Sequence, residues 1–137
     1  MWHILVDTLG LLLAVVVTAA NVQDRDGAQG VLAVLRHKFL RLRLIWADGA
    51  YAGALVDWVW ALRPHRPIRL EMTTRSDHLK GFVVIPKRWI VERTLGWFNR
   101  YRRVSKDDAY DTETSEAMIR VAMIHLMVRR LARIVPY

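Results

Sequence analysis

One basic stretch has residue types and spacing suited to chemistry on an anionic substrate. Residues 87–106 read KRWIVERTLGWFNRYRRVSK and hold seven Lys or Arg but a single acid, Glu92. Placed on one helix, the stretch has a mostly apolar side and an opposite side that includes Arg88, Glu92 and Gly96. A lone carboxylate within a cationic face suits a metal ligand that must work beside a polyanion.

A solvated basic face on an amphipathic helix would give the same pattern. Two features favour contact with DNA instead. Gly96 costs about 1 kcal/mol relative to Ala in a helix interior, and its missing side chain would let a phosphate come close. The basic residues are also interleaved with Trp89, Trp97 and Tyr101. We therefore predict that this stretch contacts DNA.

A second candidate acid, Asp48, follows the short predicted strand 43–47 and precedes a turn bracketed by Gly49 and Gly53. Sheets of α/β proteins place functional groups at the carboxyl ends of their strands. An Asp at this position can equally cap the following helix, which is predicted over residues 55–62. The residues alone leave both roles open.

Composition limits the class of protein and its partners. A chain of 137 residues that is 53% hydrophobic is long enough for one domain with a core. The net charge of +8 and the isoelectric point near 10.6 indicate an anionic partner, either nucleic acid or an acidic membrane surface. The absence of Cys excludes a disulfide framework and a thiolate zinc site, and it fits a cytoplasmic location.

The apolar run at residues 9–20 raises the question of a membrane segment. Its twelve residues are too few for a helix that spans a bilayer, which needs about 20. No Lys or Arg precedes the run, and Asp7 lies close before it, so a secretory signal is not expected either.

Hydrophobic periodicity and turn residues predict the element order β-β-α-β-α-β-α-α, an α/β fold with a mixed sheet. The first two strands form a hairpin, and Asp24 or Asp26 caps the first helix. The last helix is predicted to lie in the core, with His125 as a packed or interfacial residue. The predicted strands cover residues 3–7, 11–20, 43–47 and 68–72, and the predicted helices cover 28–39, 55–62, 87–106 and 114–134.

Three blocks of the chain resemble bacterial insertion-sequence transposases of the DDE class, IS-five group. The blocks read HILVDTLGLLLAVVVTAANVQDRDGA, WADGAYAG and KRWIVERTLGWFNRYRRVSKD. The resemblance implies an RNase H-like fold, a mixed sheet flanked by helices. It also implies catalysis by two Asp and one Glu that hold two Mg²⁺ ions. The resemblance further implies that water first cleaves a DNA strand and that the freed 3′-hydroxyl then attacks target DNA.

The family's functional residues carry over only in part. Asp48 matches the family's second Asp, and Glu92 matches its Glu. The family has a signature of basic residues around this Glu, and Arg88, four positions before Glu92, matches the first of them. The basic residue expected seven positions after Glu92 falls on Asn99, with Arg100 adjacent. The predicted contacts to the DNA backbone are Arg88, Arg93, Arg100, Arg102, Arg103 and Lys106.

The family's first Asp lies on a strand upstream of the His3–Asp7 block, so the chain resembles the carboxyl-terminal part of a transposase. Asp7 is predicted to be a turn residue rather than the missing ligand. We expect one partial RNase H-like domain over residues 1–137 that lacks its first strand. Residues 1–62 hold the sheet and the block with Asp48, the match to the family's second Asp. Residues 63–86 hold a strand and a loop, and residues 87–137 hold the basic helix with Glu92 and the last helix.

The missing strand would expose sheet edges, so the chain is expected to be marginally stable or self-associating, with weak or absent activity. One alternative is a non-catalytic DNA-binding remnant in which the acids are vestigial. Another is a membrane-surface protein, which the glutamate at the centre of the basic helix disfavours. DNA and Mg²⁺ are thus the predicted partners, without a membrane or a small-molecule cofactor.

Overall fold

The computed structural model describes residues 1–73, 87–106 and 111–134, so most of the loop predicted within residues 63–86 lies outside them. The order of elements agrees with the prediction except that the basic helix is split in two. The strands are β1 (Trp2–Val6), β2 (Leu12–Val17), β3 (Leu44–Asp48) and β4 (Arg69–Thr73). The α-helices are α1 (Asp24–Ala33), α2 (Ala54–Ala61), α3 (Arg88–Phe98), α4 (Arg102–Ser105) and α5 (Thr112–Ile134).

The chain forms two compact units. The first unit comprises Met1–Asn21 and Ile90–Tyr137, and the second comprises Val22–Trp89. Each described sheet has two strands, β1 with β2 in the first unit and β3 with β4 in the second. The α/β class is therefore confirmed, whereas the described strands do not join into the single mixed sheet that the pattern predicted. Pairing partners depend on long-range contacts, which strand periodicity does not record.

The hairpin of the first unit is antiparallel, with Trp2 opposite Val17. Its turn is organised by Asp7, whose Oδ1 accepts hydrogen bonds from the backbone N–H groups of Leu9 at 2.9 Å and Leu11 at 2.8 Å. Short acidic side chains that bond nearby backbone N–H groups are typical of turns. The prediction that Asp7 is a turn residue is confirmed.

The core of the first unit lies between β2 and the helices that follow the hairpin. α5 packs on β2, and α4 packs on α5. The buried side chains at the centre of this core are Val15, Val17, Phe98, Val104, Ile119, Ala122 and Met123. A polar contact also joins α5 to β2, because Glu116 Oε1 accepts a hydrogen bond of 2.9 Å from the backbone N–H of Val17.

Replacing Glu116 by Ala is expected to lower the free energy of unfolding by about 2 kcal/mol, since the N–H of Val17 would lose a charged acceptor. Urea denaturation followed by circular dichroism measures the change. Glu116→Gln keeps an acceptor and should cost less. Glu113→Ala removes an exposed acid from the same helix and serves as the control. A loss for Glu116→Ala no larger than that for Glu113→Ala would contradict this role.

The prediction of one continuous helix over residues 87–106 is wrong. α3 ends at Phe98, the N–H groups of Arg100 and Tyr101 bond to carbonyls three residues back, and Tyr101 has extended φ and ψ of −97° and 109°. Phe98 and Val104 are both buried. On a straight helix they would point about 120° apart, so the break lets both side chains reach one core.

The prediction that α5 is a core helix holds only for one side of its first half. Ile119, Ala122 and Met123 are buried, whereas Val121, Ile124, Val128, Leu131 and Ile134 are each more than half exposed. Helical periodicity marks an apolar residue without showing which other element covers it. In the part of the chain that the structure describes, no helix is both long and apolar enough to cross a bilayer.

The second unit is built on the parallel pair of β3 and β4, in which Asp48 is the register partner of Thr73. α2 packs against β4 and α1. α1 begins at Asp24, earlier than predicted, so that Asp24 and Asp26 lie in its first turn rather than at a cap. Carboxylates in the first turn are favoured by the positive end of the helix dipole.

Candidate nucleic-acid and metal site

Asp48 is the last residue of β3, one residue beyond the end of the strand predicted over residues 43–47. Its Oδ1 accepts a long hydrogen bond of 3.4 Å from the N–H of Ala50 and thereby caps the short 3₁₀ helix Gly49–Tyr51. α2 begins only after Gly53, which has a φ of +95° and no side chain to act as a cap. The alternative that Asp48 caps the helix over residues 55–62 is therefore wrong, because this short 3₁₀ helix lies between them.

Two basic residues at the beginning of α3 contact β3 within the second unit. Arg88 Nη1 lies 3.4 Å from Asp48 Oδ2, and both side chains are about half exposed. The ammonium of Lys87 lies 3.4 Å from the ring centroid of Trp46, two residues before Asp48 on the same face of the strand. The structure thus brings together two predicted site residues, Asp48 and Arg88. An exposed ion pair contributes little stability, so we interpret it as a positioning contact.

Tyr51 adds a third group beside Asp48. Its burial raises the pKa of the phenol above its usual value, and the carboxylates of Asp24 and Asp48 raise it further. Both effects disfavour a charged phenolate. Tyr51 therefore stays protonated at neutral pH.

Glu92 lies in the second turn of α3, exposed, one turn after Arg88. Glu92 belongs to the first unit, whereas Asp48 belongs to the second. Both side chains offer the hard oxygen ligands that Mg²⁺ prefers. Within residues 1–73, 87–106 and 111–134, no group of three or more acids or histidines is assembled around a common point. The donor chemistry fits the metal, but these residues do not form a complete ligand set.

Most of the predicted DNA contacts are exposed: Arg88, Arg100, Arg102, Arg103 and Lys106. Arg93 differs from them because it also has a structural role in the first unit. Its Nη2 donates a hydrogen bond of 2.9 Å to the carbonyl of Leu9, and its guanidinium lies 4.9 Å from the ring centroid of Trp97. Arg93 thus ties α3 to the hairpin turn, and this part of its surface is not available to a ligand.

Gly96 is exposed on α3, and a Cβ placed there would meet no other atom of the described chain within 4 Å. Packing within the protein therefore does not require a glycine at this position. That Gly96 leaves room for a phosphate outside the protein stays a prediction.

Replacing Gly96 by Ala is expected to raise the free energy of unfolding by about 0.5–1 kcal/mol, since Ala is the better helix former and has open space there. The same change should weaken DNA binding severalfold if a phosphate approaches this face. Urea denaturation and fluorescence anisotropy with labelled duplex DNA measure the two effects. Stabilisation without any loss of DNA affinity would contradict a close approach at Gly96.

Three arginines near the end of α5 were not among the predicted DNA contacts: Arg129, Arg130 and Arg133. Basic residues at this end of a helix also suit the negative end of its dipole. In the structure they line a cavity in the first unit together with the predicted DNA contact Arg100. Their spacing at i, i+1 and i+4 was the available signal, because it groups them along one side of the helix.

Comparison with known proteins identifies the chain's family. Residues 2–127 match the family model of the transposase DDE domain. A relative from Burkholderia cepacia, named as a transposase for insertion sequence element IS402, is 29% identical over 109 residues. The match covers 74% of this chain and 50% of that protein, so the chain spans about half the length of this relative. No solved structure matches the chain significantly. Since the family model covers most of its length, the chain belongs to the family of transposase DDE domains.

Proposed function

We propose that the chain acts in DNA transposition, as part of an RNase H-like transposase of the IS-five group that cleaves and transfers DNA strands. The contact between Asp48 and Arg88 carries this proposal. It joins the acid at the carboxyl end of a parallel strand to the first residue of the basic helix α3, in a chain of the transposase family.

In this proposal, Asp48 and Glu92 are the residues that would hold Mg²⁺. When bound, the metal supplies the Lewis acidity that phosphodiester cleavage and transfer require. Arg88 has two roles. Its guanidinium neutralises Asp48 while the two side chains are in contact, and its fork of N–H donors is suited to a DNA phosphate.

The DNA backbone is the proposed substrate surface for the exposed basic residues of α3, α4 and the turn between them. Within residues 87–106, Glu92 is the only acid among seven basic residues, so this segment attracts a polyanion. Phosphate contacts of this kind position a protein on DNA without reading its sequence. The recognition of particular DNA ends is not assigned to these residues.

Incubation of supercoiled plasmid with the purified chain and Mg²⁺ or Mn²⁺ tests the proposal. We expect weak or absent nicking, because only two of the family's three acids are assigned in this chain. Any metal-dependent nicking should disappear in Asp48→Asn and in Glu92→Gln. Calorimetric titration with Mn²⁺ in the presence of DNA gives a readout independent of turnover, and both variants should bind Mn²⁺ roughly tenfold more weakly or worse.

Glu113→Gln is the matched control, because Glu113 is an exposed acid on α5, outside the proposed site. It should bind Mn²⁺ as the wild-type chain does. Nicking that survives in both site variants, or Mn²⁺ binding that is the same in all four proteins, would overturn the assignment of Asp48 and Glu92.

A non-catalytic DNA-binding protein is the second candidate function. The observation in its favour is that the described residues form no complete set of metal ligands. DNA binding that needs no metal, combined with no nicking and no Mn²⁺ binding, would favour this candidate. Salt dependence cannot separate the two, since both use the same phosphate contacts.

Self-association through a second copy of the chain is also part of the proposal. The exposed residues Val121, Ile124, Val128 and Leu131 of α5 are spaced alternately by three and four residues, which is the spacing of a helix–helix seam. Light scattering should show a dimer or a larger assembly that Leu131→Gln weakens. A monomer at all accessible concentrations would contradict it.

A further inference from the structure

We propose that a cavity of the first unit, between the end of α3 and the second half of α5, binds a nucleotide of single-stranded DNA. This inference rests on the proposed function only in taking DNA as the partner. The cavity has a volume of about 370 Å³. Its lining residues are Trp97, Arg100, Tyr101, His125, Leu126, Arg129, Arg130 and Arg133.

The charge of the cavity selects an anion. Four of the eight lining residues are arginines, one is His125, and none of the eight is acidic. Guanidinium groups keep their charge at all physiological pH values and present paired N–H donors that match two oxygens of a phosphate. Within a concave wall, several such groups raise the local concentration of anions more than the same charges would on a flat surface.

Aromatic side chains hold part of this surface in place. The guanidinium of Arg130 lies 4.5 Å from the ring centroid of Trp97, a distance typical of a cation–π contact. The hydroxyl of Tyr101 and Nδ1 of His125 share a hydrogen bond of 2.8 Å, and their rings meet edge to face at 5.6 Å. Arg130 therefore loses less side-chain entropy when a phosphate binds.

The shape of the cavity favours a single strand over a duplex. A duplex presents its phosphates on a convex outer surface, with its bases stacked inside. A cavity of about 370 Å³ falls in the range of sites for small organic ligands, so it has room for more than one phosphate group. Trp97, Tyr101 and Leu126 give it apolar wall beside the arginines. Grooves that combine basic and aromatic side chains are typical of proteins that bind single strands.

Fluorescence anisotropy with a labelled 12-nucleotide single strand and a duplex of the same sequence tests this inference. Both titrations contain EDTA, so that no metal-dependent step contributes. The double variant Arg130→Gln/Arg133→Gln should weaken single-strand binding roughly tenfold or more and lower the slope of log K against log salt by about 1.4, or 0.7 for each lost phosphate contact. Its duplex affinity should change by no more than about threefold.

Arg120→Gln is the matched control, because it removes one exposed guanidinium from α5 outside the cavity. It should leave single-strand binding within about twofold of the wild-type value. Thermal melting of each variant verifies that the fold is kept. A second variant, Arg129→Gln, should weaken single-strand binding without touching the contact to Trp97, which separates ligand binding from packing. The inference is overturned if these cavity variants bind the single strand as Arg120→Gln does, or if they lose duplex and single-strand affinity equally.

These results separate the inference from the proposed function. Loss of single-strand binding in the cavity variants, without any metal-dependent nicking by the chain, would support the cavity and leave the catalytic assignment unsupported. Nicking that depends on Glu92, with cavity variants that bind the single strand normally, would support the catalytic assignment and overturn the cavity inference.

Discussion

Replacing Gly10 by Ala is expected to lower the free energy of unfolding by about 2–4 kcal/mol, the sum of backbone strain and overpacking. Gly10 has a φ of +80°, a conformation that L-residues with side chains rarely adopt. A Cβ at this position would also lie 2.7 Å from Thr94 Oγ1 and 3.1 Å from the ring of Trp97. Thr94 is fully buried and cannot move away easily, since its hydroxyl donates a hydrogen bond of 2.7 Å to the carbonyl of Gly10.

Urea denaturation of Gly10→Ala and Gly53→Ala separates the two costs. Gly53 also has a positive φ, of +95°, but a Cβ there would meet nothing within 4 Å among the described atoms. Gly53→Ala therefore carries backbone strain alone, about 1–3 kcal/mol. Equal losses in the two variants would show that the hairpin turn adapts to the new side chain, and this would contradict a tight contact between the turn and α3.

The double variant Arg102→Gln/Arg103→Gln is expected to weaken binding of duplex DNA by more than tenfold at low salt. Both side chains are exposed on α4. Each lost phosphate contact should lower the slope of log K against log salt by about 0.9, so the pair should lower it by about 1.8. Anisotropy titrations at several salt concentrations measure both quantities.

Arg36→Gln/Arg41→Gln removes the same charge from exposed positions of the second unit and is the control for a general electrostatic effect. If both double variants lower the slope equally, net charge rather than α4 determines the affinity. If Arg102→Gln/Arg103→Gln leaves the slope unchanged, α4 does not contact the DNA backbone.

Several local features were predictable because they depend on neighbours in the sequence. Asp7 lies between two strand-forming runs and before a glycine, so its role in a turn follows from turn chemistry. Asp48 ends a strand because the glycine-bounded turn begins directly after it. The blocks that resemble transposases also predicted the family that the comparison established.

Other features could not be predicted because they depend on contacts between distant residues. The 87–106 stretch has a helical period throughout, yet the chain turns after Phe98 so that Val104 reaches the same core. The apolar spacing of α5 continues beyond Met123, where the described elements leave it exposed. In both cases the periodicity identifies apolar residues, but packing decides which of them are buried.

The sequence by itself determined the order of the elements, the basic character of the chain, the position of Asp48 at a strand end and the resemblance to DDE transposases. Only the tertiary structure decided that β3 pairs with β4, that Arg88 contacts Asp48, and that four arginines line one cavity. The physical reason is the range of the interactions. Turns, caps and periodicity act over a few residues, whereas strand pairing and the convergence of charges join residues that are far apart in the chain.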